Sequence, residues 1–257
     1  MYGIILHPHN TAQKCPVLEN IYAGPHDSHC PKVSCAPAAQ IDLSVQAWGL
    51  LHGLQRFVAC GFVVVFVDGF GTNNRGRLFL DHCWQDLADS GLPDHKCFIR
   101  AAAQDRPWMD LSRVGIYGGS AGGQSAFRAV LDHGDLYKVA VADCGCHDNR
   151  VDKIWWNEQW FGNFAEDSEP YERSSNTLHA HRLGDHQKLM LIVGEVDTNV
   201  DPVSTMQLAG ALQKAQKDFE LVVVVGEGHG AAESTYGSHK RLSFLSRHLR
   251  PSRGIGQ

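Results

Sequence analysis

The stretch Val114-Gly-Ile-Tyr-Gly118-Gly-Ser120-Ala-Gly122-Gly123 decides the fold. Val114 to Tyr117 is a short run of strand type, and from Ala121 to about Leu131 the apolar spacing is helical. A serine therefore sits on the turn between a strand and a helix, with glycine two positions before it and two after. So tight a turn strains the backbone at the serine and crowds residues 118 and 122 beneath it, where a Cβ would clash. The helix start also offers backbone N–H groups to a developing negative charge. A glycine-rich phosphate loop would require further spaced glycines and an acid ending the next strand, or a Gly-Lys-Ser/Thr ending; neither is present.

Outward from this turn, strand and helix signals alternate. Tyr2–Leu6 and Val17–Tyr22 read as strands. From Ala47, apolar residues at 47, 50, 51, 54, 57 and 58 follow the helical period, and Gly61 ends that helix. Phe62–Val67 is an unbroken apolar run, as expected of a strand buried on both faces of a parallel sheet. Val139–Ala142, Leu189–Val193 and Leu221–Val225 are further strands. Asp201-Pro202 places a capping acid and a first-turn proline before a helix whose apolar stripe is Leu208, Ala211, Leu212 and Ala215. Arg241–Leu249 is a closing helix. Asn149 to His181, rich in Trp and polar residues, reads as an insertion lying over the sheet.

A serine hydroxyl needs a base, and the base needs an orienting acid. The strand 189–193 runs into Gly194-Glu-Val-Asp197-Thr-Asn, and the strand 221–225 into Gly226-Glu-Gly-His229-Gly. Asp197 follows Ser120 by 77 residues and His229 follows Asp197 by 32, the chain order serine, acid, histidine. Glu195 is too close to its strand to compete, and Asp201 is better used as a helix cap. His239 and His248 fall on the closing helix and suit its surface. The expected architecture is α/β, an α/β-hydrolase fold with a mainly parallel sheet and helices on both faces. Ser120 is the expected nucleophile, Asp197 the orienting acid and His229 the base, with the Ala121 amide as one oxyanion donor.

With 257 residues, 43% of them apolar, the chain can bury a sizeable core. A net charge of -5 offers no basic patch for nucleic acid. No apolar run approaches the ~20 residues of a membrane span, and the start lacks the pattern of a signal peptide; the compartment is left open. Eight widely spread cysteines read as free thiols rather than a disulfide framework. Cys144-Gly-Cys146-His147 is the most metal-like run, but no second pair stands at zinc-site spacing, so neither metal nor cofactor is expected.

Several segments together resemble the catalytic domain of the prolyl oligopeptidase family, nearest its dipeptidyl peptidase IV branch. They are Tyr22-Ala-Gly-Pro-His-Asp, Asp68-Gly-Phe-Gly-Thr-Asn-Asn-Arg-Gly, Gly118 to Gly123, Trp156-Asn-Glu-Gln-Trp-Phe-Gly, Asp197-Thr-Asn-Val-Asp and Gly228-His-Gly. The resemblance implies a serine peptidase acting on peptides with proline at the penultimate position. It implies Tyr22 as second oxyanion donor, Trp156 and Val200 as walls of the proline pocket, and Asn199 as a contact to a substrate carbonyl. Core packing is the plainer reading of Tyr22 and Trp156. The family's usual tyrosine after the nucleophile is here Ala121, which removes one pocket wall. Family members carry a β-propeller ahead of this domain, and in the dipeptidyl peptidase branch it grips the substrate's amino terminus. No propeller is present, so residues 1–257 are expected to be one hydrolase domain, either a fragment or a trimmed relative. A homodimer is one assembly the reading allows. Two rival readings are a carboxylesterase using the same three residues, and an inert fragment or binding module.

Overall fold

β3 (Val63–Asp68) is buried along its whole length, and burying each of its valines contributes about 1.5–3 kcal/mol. The structure, a computed structural model, describes residues 1–9, 13–30 and 53–250. Around β3 lie β1 (Tyr2–Leu6), β2 (Cys15–Asn20), β4 (Met109–Gly119), β5 (Tyr137–Asp143), β6 (Lys188–Gly194) and β7 (Glu220–Val224). They form a seven-stranded sheet in the order β1-β3-β2-β4-β5-β6-β7. Among the described residues, only β1 pairs antiparallel, with Tyr2 opposite Asp68; the other pairings are parallel.

Alternation along β3 divides the core in two. Val63, Val65 and Val67 share one cluster with Leu92 and Ile99 of α3 (Leu92–Gln104), Phe127 and Val130 of α4 (Ala121–Asp132), and Leu208 and Leu212 of α7 (Val203–Lys214). Val64 faces the opposite cluster, with Leu54 and Phe57 of α1 (described over 53–59) and Phe244, Leu245 and Leu249 of α8 (Thr235–Leu249). Helices thus cover both faces, as the unbroken apolar runs require. α2 (Arg77–Leu80), α5 (Ile154–Phe161) and α6 (Glu169–Ser174) complete the described helices. Among the described residues, no helix is long and apolar enough to cross a membrane.

Several expectations shift. The helix read from Ala47 is described only from residue 53; its earlier positions, and Cys35, lie outside the described residues. Gly61 does end it, at a φ of 97°. β2 spans Cys15–Asn20 rather than Val17–Tyr22, because the chain leaves the sheet before Tyr22. β4 starts at Met109, its early part masked by Asp110, Ser112 and Arg113. α8 begins at Thr235 rather than Arg241, capped by Ser234, whose Oγ accepts the Gly237 amide at 3.1 Å. α3 is absent from the sequence reading, and 149–181 contains α5 and α6. β7 is one edge strand, with Leu221 and Val223 partly in solvent. Among the described residues, Cys15, Cys60, Cys83, Cys97, Cys144 and Cys146 are free thiols.

Candidate active site

Ser120 lies between β4 and α4 with φ 59° and ψ −125°, a region that costs a non-glycine residue of order 1–3 kcal/mol. A Cβ on Gly118 would lie 2.7 Å from the Gly122 carbonyl carbon, which is the crowding expected beneath the turn. The nearer obstacle is the Ile21 carbonyl of the neighbouring strand's exit, 2.4 Å from a Cβ at 118 and 2.2 Å from one at 122. Both glycines therefore let the turn nest against the residue before Tyr22. Ala121 occupies the first position of α4, where an amide has no intrahelical acceptor.

Asp197 and His229 come together from the loops after β6 and β7. His229 Nδ1 lies 2.8 Å from Asp197 Oδ2. Asp197 Oδ1 accepts the amides of Asn199 at 2.8 Å and Val200 at 3.0 Å, so the carboxylate is fixed and buried. His229 keeps 27% of its side chain in solvent. The competing acids are occupied elsewhere: Glu195 Oε2 accepts the Gly226 amide at 3.0 Å, and Asp201 Oδ1 accepts the Val203 amide at 2.9 Å at the start of α7. His239 is exposed, and His248 packs on Phe244 with ring centres 4.6 Å apart.

Tyr22 lies beside Ser120, and no hydrogen bond joins the Ser120 hydroxyl to His229 here. Burial raises the Tyr22 phenol above its ordinary range, so it remains an O–H donor. The loop carrying Tyr22 is anchored at the end of β3. Buried Asp68 accepts the amides of His29 at 2.8 Å and Cys30 at 2.9 Å, and Arg75 lies 3.6 Å from its other oxygen. The Asp68–Gly76 segment thus acts structurally, holding a tyrosine beside the serine.

Two residues at the end of β5 join the halves of the site: Asp143, which the sequence did not single out, and Cys144, which stood out only as part of a metal-like run. The Asp143 carbonyl accepts the Ser120 amide at 2.9 Å, and its carboxylate accepts the Ala232 amide just past His229 at 3.1 Å. Burial pushes the Asp143 carboxyl up to about 6. Cys144, with φ 40°, is buried; its Sγ accepts the Gly230 amide at 3.4 Å and lies at the Ser120 amide. Burial holds its thiol well above the usual range.

Trp156 and Val200 line one small recess together with Cys146, Asn149, Asn157 and Ser204. Asn199 is exposed beside it. A buried amide chain holds α5 there: Gln124 Nε2 donates to Asn149 Oδ1 at 2.7 Å, Asn149 Nδ2 to Asn157 Oδ1 at 2.7 Å, and Asn157 Nδ2 to the Asp152 carbonyl at 2.6 Å. Lone amides carry no motif, so no sequence signal pointed to them.

Comparison with known proteins bears on the fold and the family. The mouse (Mus musculus) protein named dipeptidyl peptidase 8 is 25% identical over 250 residues, 95% of this chain and 26% of that protein. The Vespula vulgaris protein named venom dipeptidyl peptidase 4 is 26% identical over 227 residues, 86% of this chain and 27% of that protein. The chain thus spans about a quarter of the length of these curated relatives. The crystal structure of Porphyromonas gingivalis dipeptidyl peptidase 4 has the same fold, with a TM-score of 0.77 at 22% identity, over 97% of this chain and 33% of that one. Residues 48–252 match the model of the prolyl oligopeptidase family. The chain belongs to the prolyl oligopeptidase family.

Proposed function

We propose that this chain is the hydrolase domain of a serine peptidase of the dipeptidyl peptidase type, working by acyl transfer through Ser120, His229 and Asp197. The observation that carries the proposal is the fixed Asp197–His229 pair, 2.8 Å between Oδ2 and Nδ1, set through Cys144 and Asp143 against a serine of strained φ.

The carboxylate orients the imidazole so that Nε2 is free to take the Ser120 proton as the hydroxyl attacks a carbonyl carbon. Asp197 remains ionised and stabilises the imidazolium. The proton then passes to the leaving amine, and water repeats the sequence to release the acyl group. Charge on the tetrahedral oxygen meets the Ala121 amide and the Tyr22 hydroxyl, each donor worth about 3 kcal/mol of barrier. The recess beside Trp156 and Val200 has an apolar wall suited to a compact side chain such as proline, and exposed Asn199 is the proposed contact to a substrate carbonyl. Peptides are the proposed substrates.

Side-by-side kcat/KM on an Xaa-Pro anilide and a short acyl ester tests the substrate class. Turnover of both, with the anilide improved by proline over glycine, is expected. Ester turnover with no anilide turnover would replace the peptidase reading by an esterase one. Turnover of neither by folded protein would favour a binding role.

A further inference from the structure

One thiol in the site has no part in the acyl-transfer scheme. Cys144 Sγ, a ring nitrogen of His229 and a carboxylate oxygen of Asp197 all lie within 4.8 Å of one another. The three come from the ends of β5, β6 and β7, so no spacing in the sequence signals them. The run that looked metal-like does not converge. Cys146 lines the recess with Trp156, while His147 is fully buried, its Nδ1 beside Asn176 at 3.3 Å and its Nε2 walled in.

We propose that Cys144, Asp197 and His229 form a site for a borderline-soft divalent cation of the zinc type, and that its occupancy switches the hydrolase off. The donor set is the argument. A thiolate, an imidazole and a carboxylate are the three ligand classes zinc takes, and three protein ligands leave a fourth position for water. With metal–sulfur near 2.3 Å and metal–nitrogen or metal–oxygen near 2.0 Å, tetrahedral ligands stand about 3.3–3.6 Å apart. Closing from the observed spread takes about an ångström. His229 can supply it, being partly exposed and flanked by Gly228 and Gly230. Asp197 is already held through Oδ1 by two backbone amides, which leaves Oδ2 to turn from imidazole to metal. Outer bonds of this kind orient metal ligands.

The balance is simple. The cation enters, the Cys144 thiol gives its proton to solvent, and the imidazole binds neutral; no electron moves. Magnesium and calcium prefer all-oxygen sites and do not repay the loss of a buried thiol proton. The bound cation occupies the imidazole and the carboxylate at once, so His229 can no longer relay a proton. The inhibition half of the proposal rests on the proposed triad, whereas the binding half does not.

The test uses the whole chain with cobalt(II) as the probe. The expected result is one equivalent of four-coordinate cobalt with a thiolate charge-transfer band in the near ultraviolet, displaced by zinc. Ser120→Ala should keep that band, which separates the site from the hydrolase reading. Zinc, but not magnesium, should inhibit turnover reversibly by chelator. Cys144→Ala and Cys144→Val should weaken inhibition, each measured against its own metal-free rate, by at least about a hundredfold. Cys146→Ala should retain both signals. Absence of the thiolate band in the parent chain would overturn the site whatever the variants do. Equal zinc inhibition in folded Cys144→Val and parent, or loss of the band in Cys146→Ala with retention in Cys144→Ala, would overturn it equally.

Discussion

Two polar assemblies flank Ser120, and they are built on opposite plans. On one side the Asp197–His229 pair is ionisable and partly open to solvent, its carboxylate held by two backbone amides. On the other, the Gln124–Asn149–Asn157 chain is neutral, buried, and held side chain to side chain. The first has freedom at the imidazole, where the proposed mechanism moves a proton. The second has none, and it fixes α5 and Trp156 against the start of α4. Mutations in the first should therefore change turnover without much change in stability, and mutations in the second should do the reverse.

The largest expected effect is in the first assembly. Asp197→Asn should lower kcat by roughly four orders of magnitude through the wrong imidazole tautomer, with an unchanged melting curve; a drop of less than tenfold would break the comparison. Tyr22→Phe should cost kcat about 10²–10³-fold if the phenol donates to the oxyanion. A change confined to KM would return Tyr22 to packing. Asn157→Leu probes the second assembly. It leaves Asn149 Nδ2 without its acceptor, costing about 1–3 kcal/mol in denaturant unfolding, and should raise KM more than it lowers kcat. Equal loss in kcat would mean that α5 positions the chemistry as well.

The smallest effect sits where the halves meet. Asp143 is raised in the folded state to about 6 from an ordinary 3.8. The folded protein therefore holds that proton more tightly than the unfolded one. Its contribution to stability is complete below about pH 4 and is lost as pH rises through about 6. Asp143→Asn should remove that decline from stability measured across the window, and a profile identical to the parent's would contradict it.

These contrasts also explain what the sequence could reveal. The elbow was legible because its steric demand is local: Gly118 and Gly122 must lack a Cβ whatever surrounds them. β3 was legible because burial on both faces leaves it apolar up to Asp68 at its end. Asp197 and His229 were legible because chain order and strand ends fix them. α3 was not, since its buried face carries His95 between Leu92 and Ile99. That polar residue breaks the apolar period, and it is there because it pairs with buried Glu19, which also accepts the Tyr137 hydroxyl at 2.6 Å. The start of β4 was hidden by Asp110 and Arg113, which pair with each other at 2.8 Å. Cys144 and Asp143 were illegible as site residues because their partners Gly230 and Ala232 stand 86 and 89 residues away.

Reaction with a fluorophosphonate, followed by peptide mass mapping, tests the central claim most directly. A single adduct on Ser120 is expected, forming at a rate that collapses in His229→Ala. A folded chain that stays unlabelled, or one labelled at another serine, would contradict it.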